Sequence, residues 1–298
     1  MLLLVLYRPV LAEPLGVPGG ALEINWESRF TSQEKSKLRL WLEHAASSAS
    51  LINGNFPMTR TNVLIHRTKR GAGPVPWAHT IRHTEPQGVA FHVNPELGLT
   101  AFKTDWTATH EFSHLFLPYP GQADIWISEG FASYYQHILM MRKGTLDEQQ
   151  GWQKIVDGFG RGEADPNQNI SLKQASQEMR QRRAFKRVYW SGALYFLEAD
   201  LVLRQQGKSL DEVVSKFLLC CRDKSIQWDG MSIAVALDQA TDGDLFVPLY
   251  RRYKVTTSLP DYRAILSQVG VSIEAKHAIL SHTNDSQRLL RSAISSPR

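Results

Sequence analysis

Two histidines four residues apart constrain this sequence most, because one metal ion can be held by both side chains only if the segment between them is helical. They lie in the run His110-Glu111-Phe112-Ser113-His114, which has the form H-E-x-x-H. Positions i and i+4 of a helix lie on one face, so both imidazoles can reach one zinc ion at about 2.0–2.1 Å. Glu111 does not lie directly between the imidazoles. It can instead reach a water on the metal, which predicts a general base.

The surroundings of this motif are apolar. The apolar residues around it predict a helix that a globular core would bury; they are Trp106, Ala108, Leu115 and Phe116. Buried polar groups without partners are costly, and a metal ion is a natural partner for two histidines and a glutamate. The alternative is a chance match on a helix whose histidines have other partners.

A catalytic zinc ion needs a third protein ligand and an open position. The predicted third ligand is Glu129, within the apolar segment WISEGFASYY, and Pro118 lies between it and the motif. Because proline ends a helix, the chain can turn there, and an antiparallel second helix would bring Glu129 back to His110 and His114. The prediction is one zinc ion per chain on these three ligands. The alternative for Glu129 is a solvated helix carboxylate.

Together these segments resemble the gluzincin metallopeptidases, the superfamily of thermolysin and aminopeptidase N, and WISEGFASYY is most similar to the glycyl aminopeptidase family. The run from Tyr189 to Ala193 is similar to the tyrosine-x-x-glycine-alanine segment of both aminopeptidase families. In those families the tyrosine hydroxyl donates to the oxyanion of the tetrahedral intermediate, so the resemblance assigns that role to Tyr189. The alternatives are a packed core aromatic at 189 and the same role for Tyr195. The resemblance covers about residues 62–270.

This resemblance implies zinc-dependent, aminopeptidase-like hydrolysis of a peptide or protein substrate, with Glu111 as general base. One alternative is a non-catalytic peptide- or protein-binding module that retains the fold, and another is a metal hydrolase of non-peptide substrates. The sequence lacks the glycine-x-methionine-glutamate-asparagine motif with which aminopeptidase N relatives bind a substrate's amino terminus. The exo- or endopeptidase mode therefore stays open, as does the oligomeric state.

The character of the predicted elements changes near residue 105. The predicted strands before it are 21–30, 62–67 and 88–93. Thr31 and Glu34 have capping-box spacing for a helix that runs to about Ala49. The predicted helices after it are 105–117, 124–143, 171–183, 188–206 and 210–222. Strands followed by helices favour an α+β fold.

The fold that follows is a thermolysin-like zinc peptidase domain, in which a small sheet and the ligand helices precede a helical C-terminal lobe. The predicted sheet-and-ligand part is 21–150, and the predicted lobe is 151–283. The polar, basic end, 284–298, is expected to be flexible. Residues 88–94 are predicted as an edge strand to which an extended peptide could add, with an internal strand as the alternative.

The first 20 residues are open to two interpretations. Residues 2–7 are apolar, and residues 10–12 are suitable for signal-peptidase cleavage, but a basic n-region is missing and Arg8-Pro9 interrupts the run. The chain is either exported, to the periplasm or beyond, or cytoplasmic with a flexible N-terminus. No apolar run reaches about 18 residues, so no transmembrane segment is predicted.

The net charge and the two cysteines bear on the binding partners and on the covalent cross-links that the sequence predicts. The formal net charge is +5, and the densest basic cluster is Arg180, Arg182, Arg183, Lys186 and Arg187. This cluster is predicted to be either a solvated face or a local anion-recognition site, and no nucleic-acid partner is predicted. The only two cysteines, Cys220 and Cys221, are predicted to be buried thiols, because neighbouring cysteines rarely form a disulfide.

Overall fold

The α+β class predicted from the sequence is confirmed by the computed structural model, which describes residues 12–222 and 227–296. The strands are β1 Glu13–Val17, β2 Gly20–Trp26, β3 Arg60–Arg67, β4 Trp77–Ile81, β5 Gly88–Val93, β6 Val271–Glu274 and β7 His277–Leu280. The helices are α1 Ser32–Ala49, α2 Leu99–Thr104, α3 Thr107–Ser113, α4 Ile125–Arg142, α5 Glu148–Glu163, α6 Leu172–Gln177, α7 Met179–Arg182, α8 Phe185–Gln205, α9 Leu210–Cys220, α10 Gly230–Thr241, α11 Phe246–Tyr253, α12 Tyr262–Ser267 and α13 Asp285–Ser295. No described helix is long and apolar enough to cross a bilayer.

The main sheet has five strands in the order β1-β2-β3-β5-β4. The three central strands are parallel, and the two outer strands, β1 and β4, pair antiparallel with their neighbours. The prediction that residues 88–94 form an edge strand is therefore wrong, because β5 lies between β3 and β4. Five of the six β5 residues are buried, as expected for an apolar interior strand. The edge strand on this side of the sheet is β4, Trp77–Ile81. It was not predicted, because the glycines and prolines just before it are typical of a loop.

Helix α1 begins as predicted. The Thr31 side chain accepts from the backbone of Glu34, and the Glu34 carboxylate accepts from the backbone of Thr31. Its Trp41 packs edge-on against Phe91 of β5, with ring centroids 5.1 Å apart. Strand β1 falls within the segment predicted to be a signal or flexible N-terminus, and residues 1–11 of that segment lie outside the described part.

Helices α4 and α8 approach each other closely at two glycines. A Cβ atom on Gly192 of α8 would overlap the carbonyl oxygen of Trp126 and the Cα atom of Gly130, both of α4. The glycines thus let two backbones meet without intervening side chains. This contact is what brings the start of α8, with Tyr189, beside Glu129 on α4.

Gly192→Ala is expected to lower the free energy of unfolding by about 1–3 kcal/mol, because overpacking at a backbone contact forces the two helices apart. Gly160→Ala is the matched control, since a Cβ atom there meets nothing within 4 Å. That control should stabilise helix α5 by up to about 1 kcal/mol. Denaturant unfolding of both variants is the measurement, and equal stability of the two would contradict the close contact.

Helix α5 was not predicted, because four glycines in its sixteen residues mask the helical pattern. Three of them have a packing role: a side chain on Gly158 or Gly162 would collide with Trp190 of α8, and one on Gly151 would collide with Met141 of α4. Asp147 and Gln150 form a capping box that starts the helix.

The chain end and the cysteines also differ from expectation. Where a flexible tail was predicted, α13 packs through a fully buried arginine, Arg291, which donates to Glu148 Oε1 at 3.1 Å and to the Val269 carbonyl oxygen at 3.0 Å. The prediction of two buried thiols is wrong, because Cys220 and Cys221 are joined by a disulfide. Cys221 has left the helical conformation at the end of α9, which lets the two sulfurs meet.

Candidate active site

Helix α3 carries the motif and is short, continuing as a 3₁₀ turn over His114–Phe116. The imidazoles of His110 and His114 have centroids 4.7 Å apart and planes at 87°. Potential ligand atoms of His110, Glu111 and His114 all lie within 4.8 Å of one another. The i, i+4 spacing thus places both imidazoles at one buried point. The carboxylate of Glu111, whose position in the sequence is between the two histidines, lies at the same point.

Glu129 of helix α4 faces the same point. Its Oε2 atom lies 3.3 Å from His110 Nε2 and 3.5 Å from His114 Nε2. This oxygen is buried and has no hydrogen-bond partner among the described residues. Burial opposes ionisation of Glu129, but the two imidazoles hold its pKa well below the usual range. Two imidazole nitrogens and one unsatisfied carboxylate oxygen are the donor set of a His₂Glu zinc site, so the residues present fit a zinc ion.

Two further residues of α4 orient the imidazoles. Gln136 Oε1 lies 2.8 Å from His110 Nδ1, and Ser128 Oγ lies 3.0 Å from His114 Nδ1. Partners of this kind fix the tautomer and ring orientation of a metal-binding histidine. Sequence reasoning did not identify either residue, although both lie on the helix of Glu129, at one residue before it and seven after it.

Glu111 is positioned by the edge strand. The Thr80 hydroxyl of β4 donates to Glu111 Oε2 at 3.0 Å. Glu111 is buried yet lines the cleft described below. One carboxylate oxygen is therefore held by the sheet while the group faces the space that a substrate would enter.

Of the two predicted tyrosines, one reaches the site. The ring of Tyr189 stacks on His110, with centroids 6.1 Å apart. Burial, together with the negative charges of Glu129 and Glu111, raises its pKa, so its hydroxyl remains a neutral donor at pH 7. Tyr195 is fully buried and donates to the carbonyl oxygen of Phe246 at 3.1 Å.

These groups lie at the base of an open cleft of about 790 Å³. Strand β4 forms one wall, and Phe185 and Tyr189 of α8 form part of the other. Arg82, just after β4, ties this wall to the motif by donating to the carbonyl oxygens of His114 and Leu117 at 2.8 and 3.0 Å. Burial lowers the pKa of Arg82 to about 10.

Part of the chain matches a known protein family, and the overall fold is similar to those of solved structures. Residues 119–198 match the family model described as M61 glycyl aminopeptidase, a stretch that contains Glu129 and Tyr189. No curated protein matches the sequence. Among solved structures, the chain is similar to an aminopeptidase N family protein from Idiomarina loihiensis, with 18% identity, a TM-score of 0.67, and coverage of 88% of this chain and 49% of that one.

Two other solved structures share the architecture. An M1 zinc metallopeptidase from Deinococcus radiodurans matches at 14% identity and a TM-score of 0.53, over 84% of this chain and 52% of that one. Leukotriene A4 hydrolase from Saccharomyces cerevisiae matches at 13% identity and a TM-score of 0.52, over 87% of this chain and 41% of that one. The chain spans about half the length of the structures that it matches or less.

The fold is that of the M1 zinc peptidases. The resemblance to gluzincins predicted from the sequence is thereby confirmed.

In the folded chain the basic cluster does not form a single surface. Arg180 lines the cleft, whereas Arg182 pairs with Glu178 on the outside. Arg187 is fully buried, and its guanidinium donates to Ser191. Arg182 is therefore solvated, Arg180 faces the cleft, and Arg187 belongs to the protein interior. Recognition of an anion by Arg180 stays a prediction.

Proposed function

We propose that this chain is a zinc-dependent peptidase in which His110, His114 and Glu129 hold one zinc ion. The observation that carries the proposal is the convergence of two imidazole Nε2 atoms on the unpartnered Oε2 of Glu129, within 3.3 and 3.5 Å. The family-model match and the shared fold support the peptidase class. A related M1 enzyme, an E323A mutant from Deinococcus radiodurans, was solved bound to a Tyr-Ser-Ala substrate.

The roles of the residues follow from their positions. A bound zinc ion would supply Lewis acidity, which makes a water nucleophilic at neutral pH and polarises the substrate carbonyl. Glu111 accepts the proton of the attacking water and passes it to the leaving amine. Thr80 keeps the Glu111 carboxylate oriented, and Tyr189 donates its hydroxyl hydrogen to the oxygen that becomes negative.

The edge strand β4 is the proposed docking site for the substrate backbone. Its outer edge has no strand partner among the described residues, and four of its residues line the cleft. An extended peptide can add to such an edge through main-chain hydrogen bonds. The Thr80–Glu111 contact then places the peptide bond beside the general base.

The aminopeptidase mode requires a group that binds the substrate's α-amine. The carboxylates among the residues lining the cleft are those of Glu111 and Glu129, and both have roles in the chemistry. A fluorogenic panel of matched peptides with free and acetylated amino termini tests this mode. Cleavage of the free peptides at least about tenfold faster, or about 1.4 kcal/mol in transition-state binding, supports an aminopeptidase; equal rates indicate an endopeptidase.

The same panel tests the proposed function itself. A zinc-loaded protein that hydrolyses none of the peptides, but binds them, would be the non-catalytic module. Hydrolysis of ester or other non-peptide substrates alone would place the chain among metal hydrolases of another class.

Tyr189→Phe is expected to lower kcat by about 10²–10³-fold, the usual cost of removing one oxyanion donor. KM and zinc content should change little, since the hydrogen bond strengthens mainly in the transition state. Single-substrate kinetics with metal analysis are the measurement. Tyr195→Phe is the matched control, because its hydroxyl is bonded to a backbone carbonyl outside the cleft. A kcat loss below about threefold in Tyr189→Phe would make Tyr189 only a packed aromatic.

A further inference from the structure

A second, smaller pocket adjoins the proposed metal site on the other side of Tyr189. Its volume is about 330 Å³, and we call it the basic pocket. Its cationic side chains are Lys154, Arg161 and Lys186, and the one carboxylate in its lining is Asp157. Trp106, whose ring meets the His110 ring edge-on at 5.3 Å, also belongs to the lining. The basic pocket is therefore next to the zinc-binding residues and carries excess positive charge.

Hydrogen bonds connect the floor of this pocket to the metal site. His110 Nδ1 lies 2.8 Å from Gln136 Oε1, and Gln136 Nε2 lies 2.9 Å from His137 Nε2. Both Gln136 and His137 line the basic pocket. The three residues form a chain that runs from the proposed zinc ligand to the pocket.

Which atoms donate and which accept in these hydrogen bonds follows from the tautomer of His110. If His110 presents Nε2 to zinc, its hydrogen is on Nδ1 and is donated to the Gln136 oxygen. The Gln136 amide nitrogen then donates to His137 Nε2, which must be an acceptor. Neutral His137 therefore carries its hydrogen on Nδ1. Burial, with Lys154 and Arg161 close by, lowers the pKa of His137 to about 3, in agreement with a neutral ring at pH 7.

That remaining N–H group lacks an acceptor. His137 is 3% exposed, and its Nδ1 atom is buried with no hydrogen-bond partner among the described residues. An unsatisfied buried donor is unfavourable, because it has given up its hydrogen bonds to water without replacing them. Because His137 lines the basic pocket, a ligand oxygen that reaches this N–H group would satisfy it.

The cations of the basic pocket have carboxylates in their surroundings, Asp105 near Lys154 and Asp165 near Lys186, but no direct ion pair among the described residues. Within the described part of the chain, Lys154, Arg161 and Lys186 form no ion pair, and Asp157 instead accepts from Gln153 Nε2 at 2.8 Å. The Arg161 guanidinium lies over the Trp190 ring, 5.5 Å from its centroid. Burial and the charge of Arg161 lower the pKa of Lys186, although the charge of Asp165 opposes this shift. Lys186 and Arg161 thus repel each other, and a further negative group between them would reduce that repulsion.

We propose that the basic pocket binds a carboxylate of the substrate and so directs the peptidase to peptides with an acidic group near the scissile bond. The inference rests on the proposed function and names its substrate class. A carboxylate supplies oxygens for the His137 N–H group and charge for Lys154 and Arg161 together, and 330 Å³ accommodates one acidic side chain or a chain terminus. Hydrogen bonds to charged groups are among the stronger ones.

The test uses pairs of peptides that differ in one group. In one set Glu replaces Gln, scanned over the positions on both sides of the scissile bond; in the other a C-terminal carboxylate replaces an amide. The zinc-loaded protein should favour the acidic member of one pair by about tenfold or more in kcat/KM, the effect of one charge-assisted contact. The set that shows this preference distinguishes a side chain from a terminus.

Variants assign the preference to the pocket. Lys154→Gln with Arg161→Gln should reduce the acidic-to-neutral ratio to within about threefold, since both charged partners are lost. The matched control, Lys216→Gln with Arg251→Gln, removes the same charges from exposed positions outside the pocket lining and should keep the wild-type ratio. A ratio that falls equally in the control would overturn the proposal in favour of general electrostatics.

A binding readout separates this proposal from the proposed function. Calorimetric titration of the peptide pairs into zinc-loaded Glu111→Gln protein should show tighter binding of the acidic member, and the pocket variant should lose it. If no peptide is hydrolysed by the wild type but the binding preference persists, the peptidase function fails and the carboxylate site stands. Equal binding of both members of every pair overturns the carboxylate site.

Discussion

Glu111→Gln is expected to lower kcat for peptide hydrolysis by about 10²–10⁴-fold, the usual contribution of a positioned general base. An amide of the same shape can still accept from Thr80 Oγ1, which lies 3.0 Å from Glu111 Oε2, so the fold should persist. It cannot take a proton from the attacking water. Zinc content should stay at the wild-type level, because the predicted ligands are untouched. Steady-state kinetics and metal analysis on the same preparation measure both effects.

A surface glutamate provides the control for this variant. Glu43→Gln makes the same chemical change at an exposed position of helix α1 and should leave kcat unchanged. Near wild-type turnover in the Glu111→Gln protein would show that another group is the base. Loss of zinc in that protein would instead make Glu111 a ligand.

Replacement of any proposed ligand is expected to remove both zinc and activity. Each single variant, His110→Ala, His114→Ala or Glu129→Ala, leaves two of the three donors. Replacing a residue that only hydrogen-bonds a metal ligand lowers metal affinity by about 10–100-fold, or about 1.4–2.7 kcal/mol. Loss of a ligand itself should lower zinc affinity by more than this. Hydrolysis should fall to the background rate. The measurement is zinc per chain after dialysis, with about one expected for the wild type.

His83→Ala is the matched control for the ligand series. His83 lines the same cleft but is exposed and outside the buried trio, so its zinc content should equal that of the wild type. Stoichiometric zinc in the His114→Ala protein would rule out the proposed site. Unfolding curves for each variant show whether metal loss follows from the missing ligand or from a disrupted fold.

Several parts of this protein could be predicted because they depend on residues close together in the chain. The capping box at Thr31 and Glu34 involves side chains three positions apart, and the metal motif depends on one helical turn. Glu129 and Tyr189 were found through short segments whose pattern is itself local. The capping box and the metal motif each lie within one helical segment or at its start, whereas the contacts of Glu129 and Tyr189 with His110 join different helices.

Other parts depend on which distant segments meet, and the sequence does not specify this. An apolar run predicts a strand but not its neighbours, so β5 was taken for the edge that β4 occupies. The polar residues around Arg291 led to the opposite error: a flexible tail was predicted, but Arg291 donates to carbonyl oxygens ten and 22 residues away. In each case the energy comes from contacts that exist only after the chain has folded.

The candidate active site likewise has features that depend on nearby residues and features that depend on distant ones. The sequence by itself determined the residue types of the proposed zinc site and the helices that carry them, because helical spacing converts a four-residue interval into one face. Only the tertiary structure decided that Gly130 and Gly192 bring α4 and α8 together, and that His137 ends in an unpartnered N–H group beside three cations. Burial and long-range packing set the partners of a polar atom, and neither is encoded in the residues next to it.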